Sequence, residues 1–272
     1  MPNKRPEPPR KRKGGVVKAT KKTAPSTRAF YIVAATIVVL GIAALSWAST
    51  RPKGADVASR IDTTLPPVQS SGYVLGSPSA KLEVTEFGDY ECPQCGRFAT
   101  LTEPDVRSRL VNTGIIRYRF IDYPLPMHAN TWNASRAAAC ADEQGKFWEM
   151  HDAIFQNQDR WNGEATSNPD KVLKAVGAQI PGINKDSLDN CIDTKQTQAK
   201  VQAHYQLAMA RKVQATPTFY FGDKQVEGFL SYDDFKAMTD TALAAIAANP
   251  PRDTTSKADT KAGVSLPVKK GE

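Results

Sequence analysis

The residues best suited to chemistry in this 272-residue chain are four cysteines, at positions 92, 95, 140 and 191. Two of them lie in Cys92-Pro93-Gln94-Cys95, a spacing at which both sulfurs meet across one helical turn and can cycle between dithiol and disulfide. Two such thiols are equally half of a zinc site, but the chain holds no second pair at that spacing to complete one. Cys92 follows a short strand-like run and opens a helix-like one. A thiolate at a helix N-terminus faces unpaired backbone N–H groups and the positive end of the dipole, which lowers its pKa and makes it both nucleophile and leaving group. Cys92 is thus expected as the exposed, exchanging sulfur, and Cys95, one turn in, as the buried resolving one.

Cys140 and Cys191 lie far from any redox-type spacing. As a structural bridge they would close a loop whose chain-entropy contribution is about 4 kcal/mol; the alternative is two buried free thiols. A second motif is Ala215-Thr216-Pro217-Thr218, where a strand is entered at a proline. A proline there marks a cis bond, a strand start or the approach of another backbone. His128 precedes an Ala-rich helix in PLPMHAN; it could approach the cysteines, but a helix-start or buried role is the stronger expectation. His151 and His204 are scattered, so no metal site is expected. Trp132, Trp148 and Trp161 read as packing residues, and the Asn133-Ala134-Ser135 sequon falls inside a helix and is assigned no role.

The elements that must hold these residues emerge from periodicity. Leu82–Phe87 and Ile115–Ile121 read as strands, and Phe98–Val111 between them as a helix broken at Pro104 and stopped at Gly114, together a βαβ unit. Ala129–Glu143, the Phe147, Met150 and Ile154 face, and the Val201, Tyr205 and Ala208 face make a long helical stretch. Thr218–Phe221 and Lys224–Glu227 flank Gly222-Asp223 as a hairpin. Ser231–Ala247 closes as an amphipathic helix with a capping-box-like start at Ser231 and Asp234.

Strand, CPQC at the head of a Pro-interrupted helix, strand, helical insertion, then Thr-Pro before a hairpin and a last helix resembles a thioredoxin fold of the DsbA-like class. The resemblance covers residues 73–247 and is carried by EFGDYECPQC, QGKFWEMHDAIF and ATPTFYF. It implies an α/β domain with a helical insertion at about 124–212. It further implies that Pro217 is a cis-proline facing the cysteines and that Thr216 offers its backbone to an extended substrate segment. Glu86, six residues before Cys92, would be the buried acid beneath the pair, able to exchange protons with Cys95; the alternative is an ordinary solvated strand carboxylate. Pro93-Gln94 departs from the best-known oxidase of the class, since it brings no imidazole beside Cys92.

The rest of the chain places this domain. Of 36 basic and 28 acidic residues, ten and one respectively fall in residues 1–28. The remainder carries 26 against 27, which excludes a general nucleic-acid-binding field. Ala29–Thr50 runs 22 residues without a charge, about 33 Å as a helix and enough to cross a bilayer. The basic flank orients it with the N-terminus in the cytoplasm; a cleaved signal, with Ser46-Trp47-Ala48 as cleavage site, is the alternative. Either one exports the downstream domain, to the periplasm or the cell exterior. The expected order is a basic tail (1–28), a transmembrane signal-anchor (29–50), a flexible linker (51–72), the domain (73–247) and a disordered tail (248–272). The expected function is a membrane-tethered thiol-disulfide oxidoreductase, an oxidase of exported proteins with free thiols, using no cofactor. By resemblance, a DsbB-type or vitamin K epoxide reductase-type quinone-linked protein reoxidises it. A reductase or isomerase, and a thioredoxin-like copper carrier using Cys92, Cys95 and His128, are the rivals.

Overall fold

The computed structural model describes residues 27–50 and 60–249; the expected basic tail up to residue 26, the linker over 51–59 and the C-terminal tail from 250 lie outside them. The chain divides into two units, Met1–Pro52 and Lys53–Glu272. In the first, helix α1 spans Thr27–Thr50 and exposes Phe30, Tyr31, Ile32 and Leu40. Among the described residues no helix is long and apolar enough to cross a membrane.

The second unit is built on a five-stranded mixed sheet. Its strands are β1 (Tyr73–Leu75), β2 (Leu82–Gly88), β3 (Ile116–Asp122), β4 (Thr218–Phe221) and β5 (Lys224–Glu227), in the order β1-β3-β2-β4-β5. Strands β2 and β3 are parallel, with Glu86 beside Phe120, while β4 runs antiparallel to β2, with Phe219 beside Glu86. The parallel pair demands a crossover. Helix α2 (Pro93–Leu101), α3 (Glu103–Val106) and a wide helical turn over Arg107–Val111 provide it. The single helix expected over Phe98–Val111 is therefore divided: Pro104 sits in the first turn of α3, where its missing N–H costs least. Gly222 turns the β4–β5 hairpin at φ +62°, a conformation glycine adopts without strain. Strand β1 was not anticipated; three residues pairing antiparallel with β3 are too few to show a period.

Between β3 and β4 come α4 (Thr131–Asp142), α5 (Phe147–Gln156), α6 (Gln158–Trp161), α7 (Pro169–Gly177), α8 (Lys185–Asp193) and α9 (Gln198–Ala210), and α10 (Tyr232–Ala248) comes after the hairpin. Two apolar clusters divide the work. One gathers Leu82, Val84, Phe98, Phe219 and Phe235 between the sheet, α2 and α10; the other gathers Trp132, Met150, Trp161, Leu188 and Val201 within the insertion and against the cysteine turn. Cys140 of α4 and Cys191 of α8 are joined in a disulfide with Cα atoms 5.8 Å apart, so the bridge reading, not the free-thiol one, describes this structure.

The stretch read as a flexible linker is, from residue 60 onward, bound to the domain. Gln198 Nε2 donates to the Arg60 carbonyl at 2.8 Å and Asp62 N donates to Gln202 Oε1 at 3.0 Å. Ser70 Oγ lies 2.5 Å from His204 Nε2, to which Gly72 N also donates. His204, fully buried, turns Nδ1 to Asp122 Oδ2 at 2.7 Å. Sequence composition could not reveal this strap, because its hydrogen-bond partners are polar side chains of α9 132 to 140 residues away.

Candidate active site

Cys92 is the N-cap of α2, in an extended conformation, with Pro93 at the first helical position. Pro93 can take that place because a first-turn N–H has no intrahelical acceptor. The two cysteines are free thiols, Cys92 at 7% exposure and Cys95 at 0%. Cys92 is thus less open than its place at a helix start suggests, because the chain around Thr216 lies over it. The turn is held from outside: Gln158 Nε2 at the start of α6 donates to the carbonyls of Tyr90 (2.7 Å) and Cys92 (3.1 Å). Gly96 makes room for it, since a Cβ there would come within 2.8 Å of the Gln158 amide oxygen. Glu91 adds two anchors, accepting from Asn130 N and Gly163 N, each at 2.6 Å.

The electrostatics separate the two sulfurs. Cys92 is lowered to about 6, chiefly by a hydrogen bond from the Cys95 thiol; burial opposes this, and the Thr216 hydroxyl and the backbone N–H groups of Cys95 and Gln94 assist. Cys95 is pushed well above an ordinary thiol by burial and by its neighbour's sulfur. The helix-end donors thus contribute, but the second thiol contributes more. A thiol at about 6 is largely thiolate at neutral pH.

Thr216-Pro217 is a cis peptide directly across from the pair, and Cys92 Sγ lies 3.3 Å from the Thr216 carbonyl, to which it donates as a thiol. Strand β2 alternates its side chains, so Leu82, Val84 and Glu86 share one face; that face meets α2, and Glu86 is 1% exposed. Tyr118 Oη donates to Glu86 Oε2. Burial, reinforced by the charge of Glu103, raises Glu86 well above the carboxylate range, and it lies near enough that its ionised form raises Cys95. The strand therefore places Glu86 inside rather than in solvent. Glu103 is held charged against burial by His151 and Arg107, with His151 Nε2 at 3.2 Å and Arg107 Nε at 2.8 Å. Tyr90 Oη completes this network at 3.1 Å from His151 Nδ1.

Of the residues singled out in the sequence, the structure brings Cys92, Cys95, Glu86, Thr216 and Pro217 together; a second layer of Asp89, Glu103, Tyr118 and Gln158 was missed, and His151, read as a scattered histidine, belongs to it. His128, discounted from sequence, belongs to that layer: its Nδ1 lies 2.7 Å from Asp89 Oδ2. Asp89 stands inside the phrase EFGDYECPQC and could have been flagged by its position alone. Among the described residues no group of three or more His, Cys, Asp or Glu is placed to hold a metal ion.

The family model described as thioredoxin matches residues 69–241. Disulfide bond formation protein D of Bacillus subtilis is 28% identical over 176 residues, 62% of this chain and 76% of that protein. The Na(+)/H(+) antiporter NhaA 3 of Salinispora tropica is 29% identical over 191 residues, 70% of this chain but 28% of the antiporter, so the chain spans under a third of that relative. Among solved structures, oxidised BdbD of Bacillus subtilis superposes with a TM-score of 0.54 at 24% identity, covering 63% of this chain and 92% of BdbD. DsbA of Chlamydia trachomatis gives 0.59 at 19%, covering 69% and 99%; at these identities the structural likeness speaks for the fold. With a paired thiol at the helix cap, a cis-proline opposite it and these relatives, the chain belongs to the thioredoxin family, as a DsbA-like protein-disulfide oxidoreductase.

Proposed function

We propose that the chain is a membrane-tethered, extracytoplasmic thiol oxidase that introduces disulfides into exported proteins through Cys92 and Cys95. The observation that carries this is the opposed state of the two sulfurs, one lowered to about 6 and the other raised. A stabilised Cys92 thiolate favours the reduced form of the catalyst, and a catalyst whose reduced form is favoured is oxidising.

In the forward cycle a substrate thiolate attacks Cys92 Sγ of the Cys92–Cys95 disulfide. The S–S bond breaks, Cys95 leaves with the electron pair and takes a proton, and substrate and Cys92 share a mixed disulfide. A second substrate thiolate then attacks the substrate sulfur, and Cys92 leaves as the stabilised thiolate. Two electrons pass from the substrate dithiol to the pair. Glu86, protonated beneath Cys95, is the proton source for the first step, and the Thr216 backbone beside Pro217 takes the extended substrate segment. Reoxidation falls to a quinone-linked membrane protein of the DsbB or vitamin K epoxide reductase type. The name of the Bacillus subtilis relative, a disulfide bond formation protein, supports the oxidising direction over reduction or isomerisation.

The tether rests on the uncharged run Ala29–Thr50 and the ten basic residues before it, which read as a signal-anchor leaving the domain outside. The test of direction is the reduction potential of the Cys92–Cys95 pair against glutathione. A value well above the glutathione couple is expected; one near that of a thioredoxin would make the protein a reductase.

A further inference from the structure

The Pro93-Gln94 dipeptide puts no cation beside Cys92, yet the fold brings one from elsewhere. His128 lies in the segment between β3 and α4, about 36 residues beyond the cysteine, and its ring is seated on Asp89. That carboxylate accepts four hydrogen bonds: from Glu91 N (2.8 Å) and Thr131 Oγ1 (2.5 Å) on Oδ1, and from Leu125 N (2.7 Å) and His128 Nδ1 (2.7 Å) on Oδ2. Four acceptor positions are what a carboxylate offers, so Asp89 is fully engaged and immobile. The same residue touches both cysteines through its main chain, its carbonyl accepting from Cys92 N at 3.1 Å and its N–H facing Cys95 Sγ at 3.5 Å. Asp89 is therefore the hub that holds the His128 imidazole by its side chain and the cysteine turn by its main chain. The Asp89 side chain is fully buried, whereas the His128 side chain keeps 19% of its surface open.

We propose that His128, oriented by Asp89, is a positioning residue that adds a positive charge to the hydrogen-bond donors stabilising the Cys92 thiolate, and so makes the reactivity of the pair depend in part on the protonation of this imidazole. The inference rests on the assignment of Cys92 as the exchanging sulfur. The groups facing the ring support it. Burial opposes its protonation, but the Asp89 hydrogen bond and charge, then Glu91, then Cys92 outweigh burial, and His128 is raised above an ordinary histidine. Arg60, whose Nη1 donates to the His128 carbonyl at 2.9 Å, is a second cation here and interacts with Glu91 and Asp89. Coupling between two sites is reciprocal: if the Cys92 thiolate favours the protonated imidazole, the protonated imidazole favours the thiolate by the same factor. The sign is fixed accordingly. At pH below the His128 midpoint the thiolate is stabilised; as pH rises through it, that stabilisation is lost.

The experiment uses the full chain in detergent and measures the rate of Cys92 alkylation by iodoacetamide against pH. His128→Gln is expected to slow alkylation about two- to fivefold near pH 6, the effect on a thiol at about 6 of a midpoint raised by half to one unit. His128→Lys, which keeps a charge, is expected to restore it. Independently, with only three histidines in the chain, the imidazole resonances of His128 can be followed, and its midpoint should fall when the cysteines are oxidised to the disulfide and the thiolate disappears. A His128 midpoint unchanged by oxidation, or a His128→Gln alkylation profile that superposes on wild type, overturns the inference while leaving Cys92 as the nucleophile. A wild-type protein in which Cys92 shows no reactive thiol near pH 6 overturns the assignment of the site itself.

Discussion

The exchange chemistry turns on the contrast between two sulfurs three positions apart, and that contrast has consequences for single residues. Cys92→Ser removes the attacked sulfur and is expected to abolish thiol exchange. Cys95→Ser leaves Cys92 unable to resolve and should accumulate substrates as mixed disulfides, seen as reducible adducts on a non-reducing gel; adducts on Cys140 or Cys191 would contradict the assignment. The lowered Cys92 also couples to folding. A thiol at about 6 in the folded protein, against roughly 8.5 in an unfolded chain, contributes stability that is complete above the unfolded value and lost as pH falls through 6. The reduced protein should therefore gain stability from pH 6 to 8 by a few kcal/mol, at about 1.4 kcal/mol per unit, relative to reduced Cys92→Ser. Paired denaturant titrations would show it, and parallel curves would remove the physical basis for an oxidising pair.

At the scale of elements, two devices hold the insertion and the strap to the sheet. The Cys140–Cys191 bridge links α4 to α8 across 51 residues. Replacing both by Ala is expected to cost about 2–4 kcal/mol without moving the Cys92 titration, as measured by denaturation and alkylation together. The His204 ring joins Asp122 at the end of β3 to the strap. His204→Ala leaves Asp122 buried without that partner and is expected to cost about 3 kcal/mol. Protease sensitivity should then appear first around residues 60–72, where the strap is released; a variant as resistant as wild type would show that the apolar contact of Ile61 with the core suffices.

Across the whole molecule, the strap changes where the catalytic unit begins. A fragment starting at residue 73 retains the sheet, both cysteines and Pro217, but loses every hydrogen bond from Arg60, Asp62 and Ser70 to the insertion. A fragment from residue 60 to 249 is expected to exchange thiols at the wild-type rate and to melt several degrees above the shorter one, since each such partly buried polar contact contributes about 1 kcal/mol. Equal melting temperatures would return residues 60–72 to the role of a plain linker. The same longer fragment, lacking α1, should remain in solution after membranes are removed, while the full chain stays with them under alkaline extraction if Ala29–Thr50 is retained as an anchor.

What the sequence determined alone was whatever depends on short-range pattern. A two-residue spacer at a helix start, a Thr-Pro entering a strand, period-two and period-3.6 apolar faces and an uncharged 22-residue run are all local, and the cysteine pair, the hairpin and the helical insertion were legible from them. Only the tertiary structure decided which polar groups surround the pair. Glu86 could be solvated or buried until the packing of α2 against β2 was known. His128, His151 and His204 have no distinguishing neighbours in sequence, yet each is held by a carboxylate from a distant element: Asp89, Glu103 and Asp122. A buried polar group is specified by the partner that satisfies it rather than by its own surroundings along the chain, and such partners are chosen by the fold.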